Sequence, residues 1–171
     1  MRYLTIVRHA KAATAPPGAT DFDRALNERG RSQCEQLRAW ASDELALGRY
    51  GPAAALVSAA ARTRETFQLA FEGTPFVERC AFSDRIYNGL RDVSGEDLLG
   101  HLAAFDPVTT SLLVVGHNPV VWELAHLLIR ELPDSLAHER YPLAGAYVLA
   151  LPEGRPVGSE RYECVDCYVP R

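Results

Sequence analysis

Apolar residues are concentrated in short runs that predict the strands of a buried sheet. Three of these runs, at 3–7, 53–58 and 111–117, are brief, contain β-branched residues and are apolar almost throughout. Continuous runs of this kind are typical of strands that are covered on both faces. Two further runs, at 75–82 and 145–151, predict additional strands of the same sheet.

Between these runs, apolar residues recur at helical spacing. They predict four helices, at about 27–47, 60–71, 95–105 and 119–130. Asn27, Ser94 and Asn118 are the predicted N-caps, because each precedes a helical pattern and carries a side-chain oxygen that can accept a backbone N–H. Asp97 completes a capping box with Ser94, and Pro119 suits the first turn of the last helix.

The alternation of strands and helices over short connections predicts an α/β fold. It favours a three-layer α/β/α arrangement with a mostly parallel central sheet. A length of 171 residues suits a single domain over 1–171. The core is expected within 1–151, and the tail at 152–171 is broken by proline and glycine, with room for one edge strand.

Composition and charge narrow the classes of function. A hydrophobic content of 47% is enough for a core, and a net charge of −4 argues against non-specific binding of nucleic acid. No stretch approaches the roughly 20 apolar residues of a membrane span. The N-terminus does not match a signal peptide, because Arg8 and His9 interrupt the apolar run. We therefore expect a cytoplasmic protein that binds neither nucleic acid nor membrane.

The four cysteines do not form a recognisable metal or redox motif. Cys164 and Cys167 make a single C-x-x-C in a β-like segment, whereas Cys34 and Cys80 are isolated. A structural zinc site needs about four ligands, and a thioredoxin-like pair opens a helix. Incidental or packing cysteines are therefore the favoured interpretation, and a metal or redox role is the alternative.

Polar side chains follow three of the predicted strands. Arg8 and His9 follow the first strand, Ser58 and Arg62 the second, and His117 the third. Because the carboxyl ends of parallel strands meet at the same edge of a sheet, we expect these five residues to lie close together.

This group of residue types favours an anionic ligand. Arginine offers fixed donors to phosphate or carboxylate oxygens, and histidine can act as a nucleophile or a proton carrier. Arg62 and His117 also lie at helix starts, where unpaired N–H groups favour anions. Together these features select a dianionic tetrahedral group, whereas two adjacent arginines would repel a divalent metal ion.

Each residue also has an ordinary structural interpretation. Arg8 alone could form a salt bridge, and Arg62 with Arg64 could coat a helix. A single histidine such as His9 or His117 is often a hydrogen-bonded structural residue. The prediction of an anion-binding site rests on these arginines and histidines occurring together. The remaining histidines are interpreted as structural or exposed; they are His101, His126 and His138.

Four segments resemble, in order, the motifs of the histidine phosphatase superfamily, which has a phosphoglycerate-mutase-like fold. "VRHAKA" resembles its R-H-G signature, and Asp21, Arg24, Leu26 and Gly30 match its D-x-x-R-x-L-x-x-x-G stretch. "SAAARTRETF" (58–67) resembles S-x-x-x-R-x-x-x-T, and "LLVVGHNP" (112–119) resembles the late G-H-x-P motif. The short length and the "RHAKA" variant are similar to the small SixA-type phosphohistidine phosphatases.

The resemblance implies a mechanism and a set of site residues. His9 would attack phosphorus and become a phosphohistidine, with its other ring nitrogen donating to a backbone carbonyl. Arg8, Arg62 and His117 would surround the phosphoryl oxygens, and Asn118 joins the phosphate-binding set. The resemblance implies no cofactor and no metal, because two guanidiniums and an imidazolium take the place of the metal ion.

The sequence departs from the family pattern at two positions, and the proton donor is open. Ala10 replaces the glycine after R-H, which a negative φ would allow, and Ala15 replaces an asparagine of the mutases. Asp84 is the preferred general acid, with Glu78 and Asp92 as alternatives. A site without a strong acid would favour phosphohistidine, since a protonated phosphoimidazole leaves as a neutral ring.

Three functions are therefore weighed. The first is a metal-independent phosphatase that uses a phosphohistidine intermediate and acts on phosphohistidine in a protein domain. The second is a phosphatase for small phosphomonoesters, with a phosphorylated metabolite as partner. The third is a non-catalytic phosphate-binding module. Loops at 10–25 and 132–144 are predicted to form an open rim around the site.

Overall fold

The computed structural model describes residues 1–43, 47–89, 92–137 and 140–171. Within these ranges the strands are β1 (Arg2–Arg8), β2 (Ala53–Ser58), β3 (Val77–Ser83), β4 (Ser111–Gly116), β5 (Ala146–Leu151) and β6 (Cys164–Tyr168). The α-helices are α1 (Glu28–Ser42), α2 (Ala61–Ala70), α3 (Gly95–Phe105) and α4 (Val120–Leu128). None of the helices in these ranges has both the length and the apolar character that a membrane span requires.

The strands form one mixed sheet in the order β3–β2–β4–β1–β5–β6. The pairs β2–β3, β2–β4 and β1–β4 are parallel, whereas β5 runs antiparallel to both of its neighbours. The central strands β2 and β4 are buried along their whole length, which explains their continuous apolar sequence. The predicted mostly parallel sheet is thereby confirmed, and β6 is the edge strand expected in the tail.

The helices cover both faces of the sheet. α1 packs with α2 on one face, and α3 packs with α4 on the other. Leu37 and Phe67 belong to the core on the first face, whereas Leu102, Leu124 and Tyr147 belong to the core on the second. This arrangement is the predicted three-layer α/β/α fold.

Local side-chain signals located several helix ends correctly. The Asn27 side chain accepts from the Gly30 N–H at 2.8 Å, and Ser94 with Asp97 forms the expected capping box at the start of α3. α1 ends earlier than predicted, because the Asp43 N–H turns back to the Trp40 carbonyl and closes the helix after Ser42. The continuation of that prediction through Glu44 and Leu45 lies outside the described residues.

The predicted ends of α4 were wrong by one or two residues. Pro119, not Asn118, is the N-cap, because the Val121 N–H donates to the His117 carbonyl and no helical N–H reaches the Asn118 side chain. The helix ends at Leu128 and not near residue 130, because Tyr162 of the tail pairs with the chain there and draws it into an extended conformation.

Gly30 lies where α1 touches the chain that follows β1. A Cβ atom at Gly30 would stand only 2.1 Å from the Lys11 carbonyl oxygen. That oxygen accepts the Asn27 N–H, and the Lys11 N–H donates to Gln33 Oε1 at 2.9 Å. The N-terminal turns of α1 therefore fix the backbone two residues after His9, and a side chain at Gly30 would break this contact.

We expect Gly30→Ala to lower the free energy of unfolding by roughly 1–3 kcal/mol, as overpacking of a tight contact usually does. Activity should fall as well, because Lys11 and the neighbouring His9 would shift. Chemical denaturation together with steady-state kinetics measures both effects.

Gly100→Ala is the matched control for that substitution. A Cβ at Gly100 meets nothing within 4 Å, and the residue lies exposed inside α3. The free energy of unfolding should rise by about 0.5–1 kcal/mol, because alanine has the higher helix propensity. Equal effects of the two substitutions would contradict the importance of the contact between Gly30 and Lys11.

Candidate active site

A polar cavity of about 260 Å³ lies beyond the carboxyl ends of β1 and β4. Its described lining residues are Arg8, His9, Lys11, Ala12, Arg24, Arg62, Asn88, His117, Asn118 and Leu143. Four of the five residues that the sequence placed at this edge line the cavity, and the fifth, Ser58, contacts His117 from behind. The rim takes Lys11 and Arg24 from the first predicted loop and Leu143 from the second.

His9 is held by β1 in a defined orientation and tautomer. Its Nδ1 lies 2.7 Å from the Ala10 carbonyl oxygen, which can only accept, so Nδ1 carries the proton. Nε2 is therefore the unprotonated nitrogen. Burial lowers the pKa of His9 to about 3, with Arg62 and Arg8 adding to the shift. The ring is consequently neutral near pH 7, which is the state that a nucleophile requires.

Ala10 fits this backbone without strain. The residue is fully buried and is not among the residues with positive φ, so the extra methyl group costs no unusual conformation. Its N–H donates to Thr66 Oγ1 at 3.0 Å. Thr66 is the last residue of the S-x-x-x-R-x-x-x-T segment, and this bond gives that threonine a structural role beside His9.

Arg8 and Arg62 enter the cavity from different elements. Arg8 Nη1 donates to the Tyr141 carbonyl at 2.7 Å, and its Nε is buried without a partner among the described residues. Arg62 comes from the first turn of α2 and donates through Nη1 and Nη2 to the carbonyl and carboxylate of Asp21. Both guanidiniums are thus oriented by protein groups before any ligand arrives.

Asp21 links the loop before α1 to the cavity. Its carboxylate accepts from Tyr87 Oη at 2.7 Å, from Arg24 at 3.0 Å and from Arg62 at 3.1 Å. The Tyr87 hydrogen bond, followed by the arginines, holds the pKa of Asp21 well below its usual range. The Tyr87 ring also packs edge-on against His117 at 5.6 Å. Asp21 therefore remains charged and orients two arginines.

His117 follows β4 and lies beside His9, with the ring centroids 5.3 Å apart. Its Nε2 is 2.7 Å from Ser58 Oγ, and its Nδ1 is buried without a partner among the described residues. Burial, followed by the neighbouring His9 and Arg62, lowers the pKa of His117 to about 2. In the free site the His117 ring is therefore neutral. The imidazolium that the resemblance implies around a bound phosphoryl group stays a prediction.

Two cations and one amide extend the site beyond the predicted residues. Lys11, Arg24 and Asn88 line the cavity together with the predicted Asn118, whose Oδ1 is buried without a partner among the described residues. Arg24 stood in register with a family motif, but no pattern assigned it to the cavity. Nothing in the sequence marked Lys11 and Asn88 as site residues, because single polar residues in loops are common.

Acidic residues are absent from the described lining of the cavity. Asp84, the preferred general acid, is exposed at the start of a 3₁₀ turn and does not line it. Glu78 binds Thr110 near the opposite edge of the sheet, and Asp92 lines a neighbouring cavity. No three His, Cys, Asp or Glu side chains cluster as a metal site within the described ranges.

The remaining histidines and cysteines lie away from the cavity. His101 lies on α3, and His126 bonds within α4 to the Trp122 carbonyl at 2.9 Å. His138 lies outside the described residues. All four cysteines are free, with Cys34 buried and the others at least partly exposed.

The two buried histidines make stability depend on pH. An unfolded histidine has a pKa of about 6.5, whereas His9 and His117 have values of about 3 and 2 when folded. Between pH 6.5 and pH 3 the unfolded chain binds protons that the folded chain does not, so stability falls as the pH falls. At pH 5, each histidine should lower the free energy of unfolding by about 2 kcal/mol relative to pH 7.

This pH dependence is measured by urea unfolding at pH 7 and pH 5. We expect the wild type to lose more stability on acidification than the double variant His9→Gln/His117→Gln, by several kcal/mol. The difference between the two proteins isolates these two groups from all other titrating residues. Equal losses would contradict the low pKa values of both rings.

The chain is similar in sequence and in fold to known proteins. No family model matches the chain. An uncharacterized protein of Mycobacterium tuberculosis is 35% identical over 150 residues, which cover 84% of this chain and 85% of the relative. Among solved structures, the SixA protein of Agrobacterium tumefaciens, assigned as a phosphohistidine phosphatase, is 32% identical with a TM-score of 0.75. The match covers 99% of this chain and 98% of that protein.

Two further solved structures share the fold at lower identity. The SixA protein of Nakamurella multipartitia, assigned the same activity, is 24% identical with a TM-score of 0.77 over 99% of this chain and 96% of that one. A protein histidine phosphatase SixA in complex with tungstate is 18% identical with a TM-score of 0.72, covering 98% of this chain and 96% of that one.

Proposed function

Since the chain belongs to the SixA-type branch of the histidine phosphatase superfamily, and is therefore a hydrolase that releases phosphate, we propose that it acts on phosphohistidine carried by a protein. The observation that carries this proposal is the state of His9. A neutral imidazole with its Nδ1 proton bound to the Ala10 carbonyl stands among the guanidiniums of Arg8, Arg24 and Arg62. That arrangement supplies a nucleophile beside a binding site for a tetrahedral dianion.

The first chemical step is an in-line transfer to His9. His9 Nε2 forms a bond to phosphorus while the bond between phosphorus and the leaving nitrogen breaks. Arg8 and Arg62 stabilise the charge on the three non-bridging oxygens, because their donors are already oriented and need little rearrangement. His117 and Asn118 contribute further polar contacts to the phosphoryl group.

Water completes the reaction in a second step. It attacks the phosphorus of phosphohistidine 9, the bond from phosphorus to Nε2 breaks, and inorganic phosphate leaves. The hydrogen bond from Nδ1 to the Ala10 carbonyl persists throughout and returns the ring to the same tautomer. The cycle therefore regenerates the free enzyme.

The lining of the cavity supports a leaving group that needs no carboxylic acid. An alkoxide leaves poorly unless an acid protonates it, whereas a protonated phosphoimidazole leaves as a neutral ring. The described residues around the cavity include no Asp or Glu, and Asp21 stays ionised next to Tyr87. Phosphohistidine suits this lining better than an alkyl phosphomonoester does.

Metal independence is part of the proposal. Arg8, Arg24, Arg62 and Lys11 place four positive charges around the cavity, with the Asp21 carboxylate paired to two of them. This charge distribution repels a divalent cation and provides the stabilisation that a metal ion would supply. Four free cysteines fit a reducing compartment, so we propose the cytoplasm as the location.

We expect the purified protein, after treatment with EDTA, to hydrolyse a histidine-phosphorylated peptide at an undiminished rate. Its kcat/KM for phosphoserine should be lower by about 10²–10⁴, the usual contribution of a general acid. The kcat/KM for p-nitrophenyl phosphate should lie between the values for the two other substrates, because its leaving group needs less protonation. Release of inorganic phosphate measures all three reactions.

Each outcome of this comparison is informative. Faster turnover of phosphoserine than of the phosphopeptide would establish the small-ester alternative. Loss of activity in EDTA, restored by a divalent metal, would refute metal independence. Binding of phosphate without turnover of any of the three substrates would identify a non-catalytic module.

A further inference from the structure

Two further cavities lie along α4 beside the polar cavity that contains His9, which we call the phosphate cavity. The first has a volume of about 370 Å³ and shares Asn88 with the phosphate cavity. The second, of about 470 Å³, shares Ser94 and Glu123 with the first and extends to Trp122 and His126. The two further cavities share two lining residues with each other and lie side by side along α4, and we call them together the α4 groove.

The floor of the α4 groove is a half-exposed stripe of one helix. Trp122, Glu123, His126 and Leu127 are all partly exposed, whereas the residues between them on α4 face the core. The Trp122 and His126 rings contact each other with their centroids 3.7 Å apart and their planes tilted by 36°. The stripe therefore presents an aromatic surface at the far end of the groove from His9.

The α4 groove is much larger than a phosphoryl group requires. The phosphate cavity alone holds about 260 Å³, and the groove adds two cavities that are each larger. From Pro119 to Leu127 it runs roughly 12 Å along the helix, at 1.5 Å per residue. An extended peptide covers that distance in about three residues. A small phosphorylated metabolite would leave most of the groove empty.

The charge of the α4 groove is opposite to that of the phosphate cavity. Asp92 and Glu96 are exposed carboxylates on its wall. Arg161 is the one arginine or lysine among its described lining residues, and its guanidinium donates to the His126 carbonyl at 3.0 Å. Glu123 also lines it and accepts the Gly95 N–H at 2.6 Å, which anchors the start of α3 to α4. With three carboxylates and one guanidinium, the wall favours a cationic side chain, whereas the neighbouring phosphate cavity favours an anion.

We propose that the α4 groove binds the chain segment next to the phosphohistidine of the protein substrate. A basic side chain of that segment lies against Asp92 and Glu96, and an apolar side chain packs on the Trp122 and His126 rings. This inference rests on the proposed action on protein-borne phosphohistidine and adds the sequence character of the substrate. Aromatic anchors in such grooves commonly dominate binding.

Synthetic peptides, phosphorylated on one central histidine with phosphoramidate, provide the test. One peptide carries lysine and leucine within three residues on both sides of the histidine, and its partner carries glutamate and serine at the same positions. Free phosphohistidine is the small substrate. The variants are Trp122→Ala and Glu96→Lys, with Trp40→Ala as the matched control, because Trp40 stacks on Tyr168 outside the groove.

We expect the wild type to have a KM for the lysine–leucine peptide about tenfold below that for its glutamate–serine partner. Trp122→Ala should raise the KM of the first peptide about tenfold with little change in kcat, and should leave free phosphohistidine unaffected. Glu96→Lys, at an exposed position that does not threaten folding, should reverse the preference between the two peptides. Trp40→Ala should change none of these constants.

The same experiment separates failure of the groove from failure of the proposed function. If both peptides turn over with equal KM values, and neither Trp122→Ala nor Glu96→Lys changes these values, the α4 groove does not bind the substrate. The proposed phosphohistidine activity would be unaffected by that result. Turnover of free phosphohistidine with no turnover of either peptide would overturn the protein substrate and the groove together. Equal effects of Trp122→Ala on the peptide and on free phosphohistidine would show that Trp122 stabilises the site in general. That result would also contradict peptide binding in the α4 groove.

Discussion

Replacement of His9 by alanine is expected to lower turnover by about 10⁴-fold or more, the scale seen when an enzyme loses its nucleophile. The covalent intermediate cannot form without Nε2, and the described lining of the cavity offers only His117 as another neutral ring. His117 is held against Ser58 and cannot replace His9 without moving. Phosphate release from a histidine-phosphorylated peptide measures the loss.

The fold should survive this substitution. Among the described residues, the His9 side chain hydrogen-bonds only to its own neighbour, Ala10, so its removal leaves no distant group without a partner. A melting temperature close to that of the wild type, together with retained tungstate binding, would show that the site is intact. His101→Ala is the control and should retain full activity, because His101 lies on α3 outside the cavity. Substantial turnover by His9→Ala would remove His9 as the nucleophile.

Replacement of Arg62 by alanine is expected to lower kcat by about 10²–10³, the usual effect of losing one oriented donor to a developing negative charge. Two bonds to Asp21 fix the Arg62 guanidinium, so the donors are in place before the phosphoryl group arrives. Arg62→Lys should recover part of the loss, because lysine keeps the charge and loses the planar fork. Single-turnover kinetics separates this effect on chemistry from an effect on binding.

Arg64→Ala is the matched control, two residues further along the same helix. The Arg64 guanidinium lies over the Phe82 ring at 4.3 Å and donates to the Ala59 carbonyl, so it faces away from the cavity. Its removal should change stability modestly and leave kcat within about twofold, as expected for a partly exposed contact. Near-normal kinetics for Arg62→Ala, or an equal loss for Arg64→Ala, would place Arg62 outside the reacting site.

The sheet could be predicted from sequence because its central strands are buried on both faces. β2 was predicted at its observed limits, and β4 differed by one residue at its end, since an uninterrupted apolar run has sharp limits. β3 lies at the edge, where each of its residues is at least partly exposed, and its observed limits differ by one or two residues from the prediction. Edge strands give a weaker signal, because only part of each side is buried.

The predicted site residues came together because parallel strands align their carboxyl ends. Arg8 is the last residue of β1, and His9 and His117 directly follow β1 and β4, so strand order alone brings them close. Arg62 reaches the cavity from the first turn of the helix after β2. The order and direction of the strands were therefore enough to predict the central residues of the site.

The remaining site residues depend on contacts over long sequence separations. Asp21 meets Tyr87, 66 positions away, and no local pattern distinguishes this pair from an ordinary surface acid and a core aromatic. Lys11 is placed by its contacts with α1 at Gly30 and Gln33. Such pairings follow from tertiary packing, and a single sequence gives no signal for them.

Asp84, the preferred proton donor, also shows that a single sequence lacks information on tertiary packing. Asp84 follows β3 closely and therefore matched the rule that placed Arg8 and His117 at the edge of the sheet. β3 lies at the far side of β2 and β4 from β1, so its end is distant from His9 in the strand order. The rule identifies the edge, and the order of the strands decides which ends meet.

The central claim is that phosphoryl transfer passes through His9, and trapping the intermediate tests it most directly. The enzyme is mixed with ³²P-labelled phosphoramidate, quenched in base within milliseconds and digested, and the labelled peptide is sequenced. Because Nδ1 is bound to the Ala10 carbonyl, we predict an acid-labile, base-stable phosphoryl group on Nε2 of His9, formed and lost at rates consistent with turnover. A label on any other residue, or on Nδ1 of His9, would contradict the account.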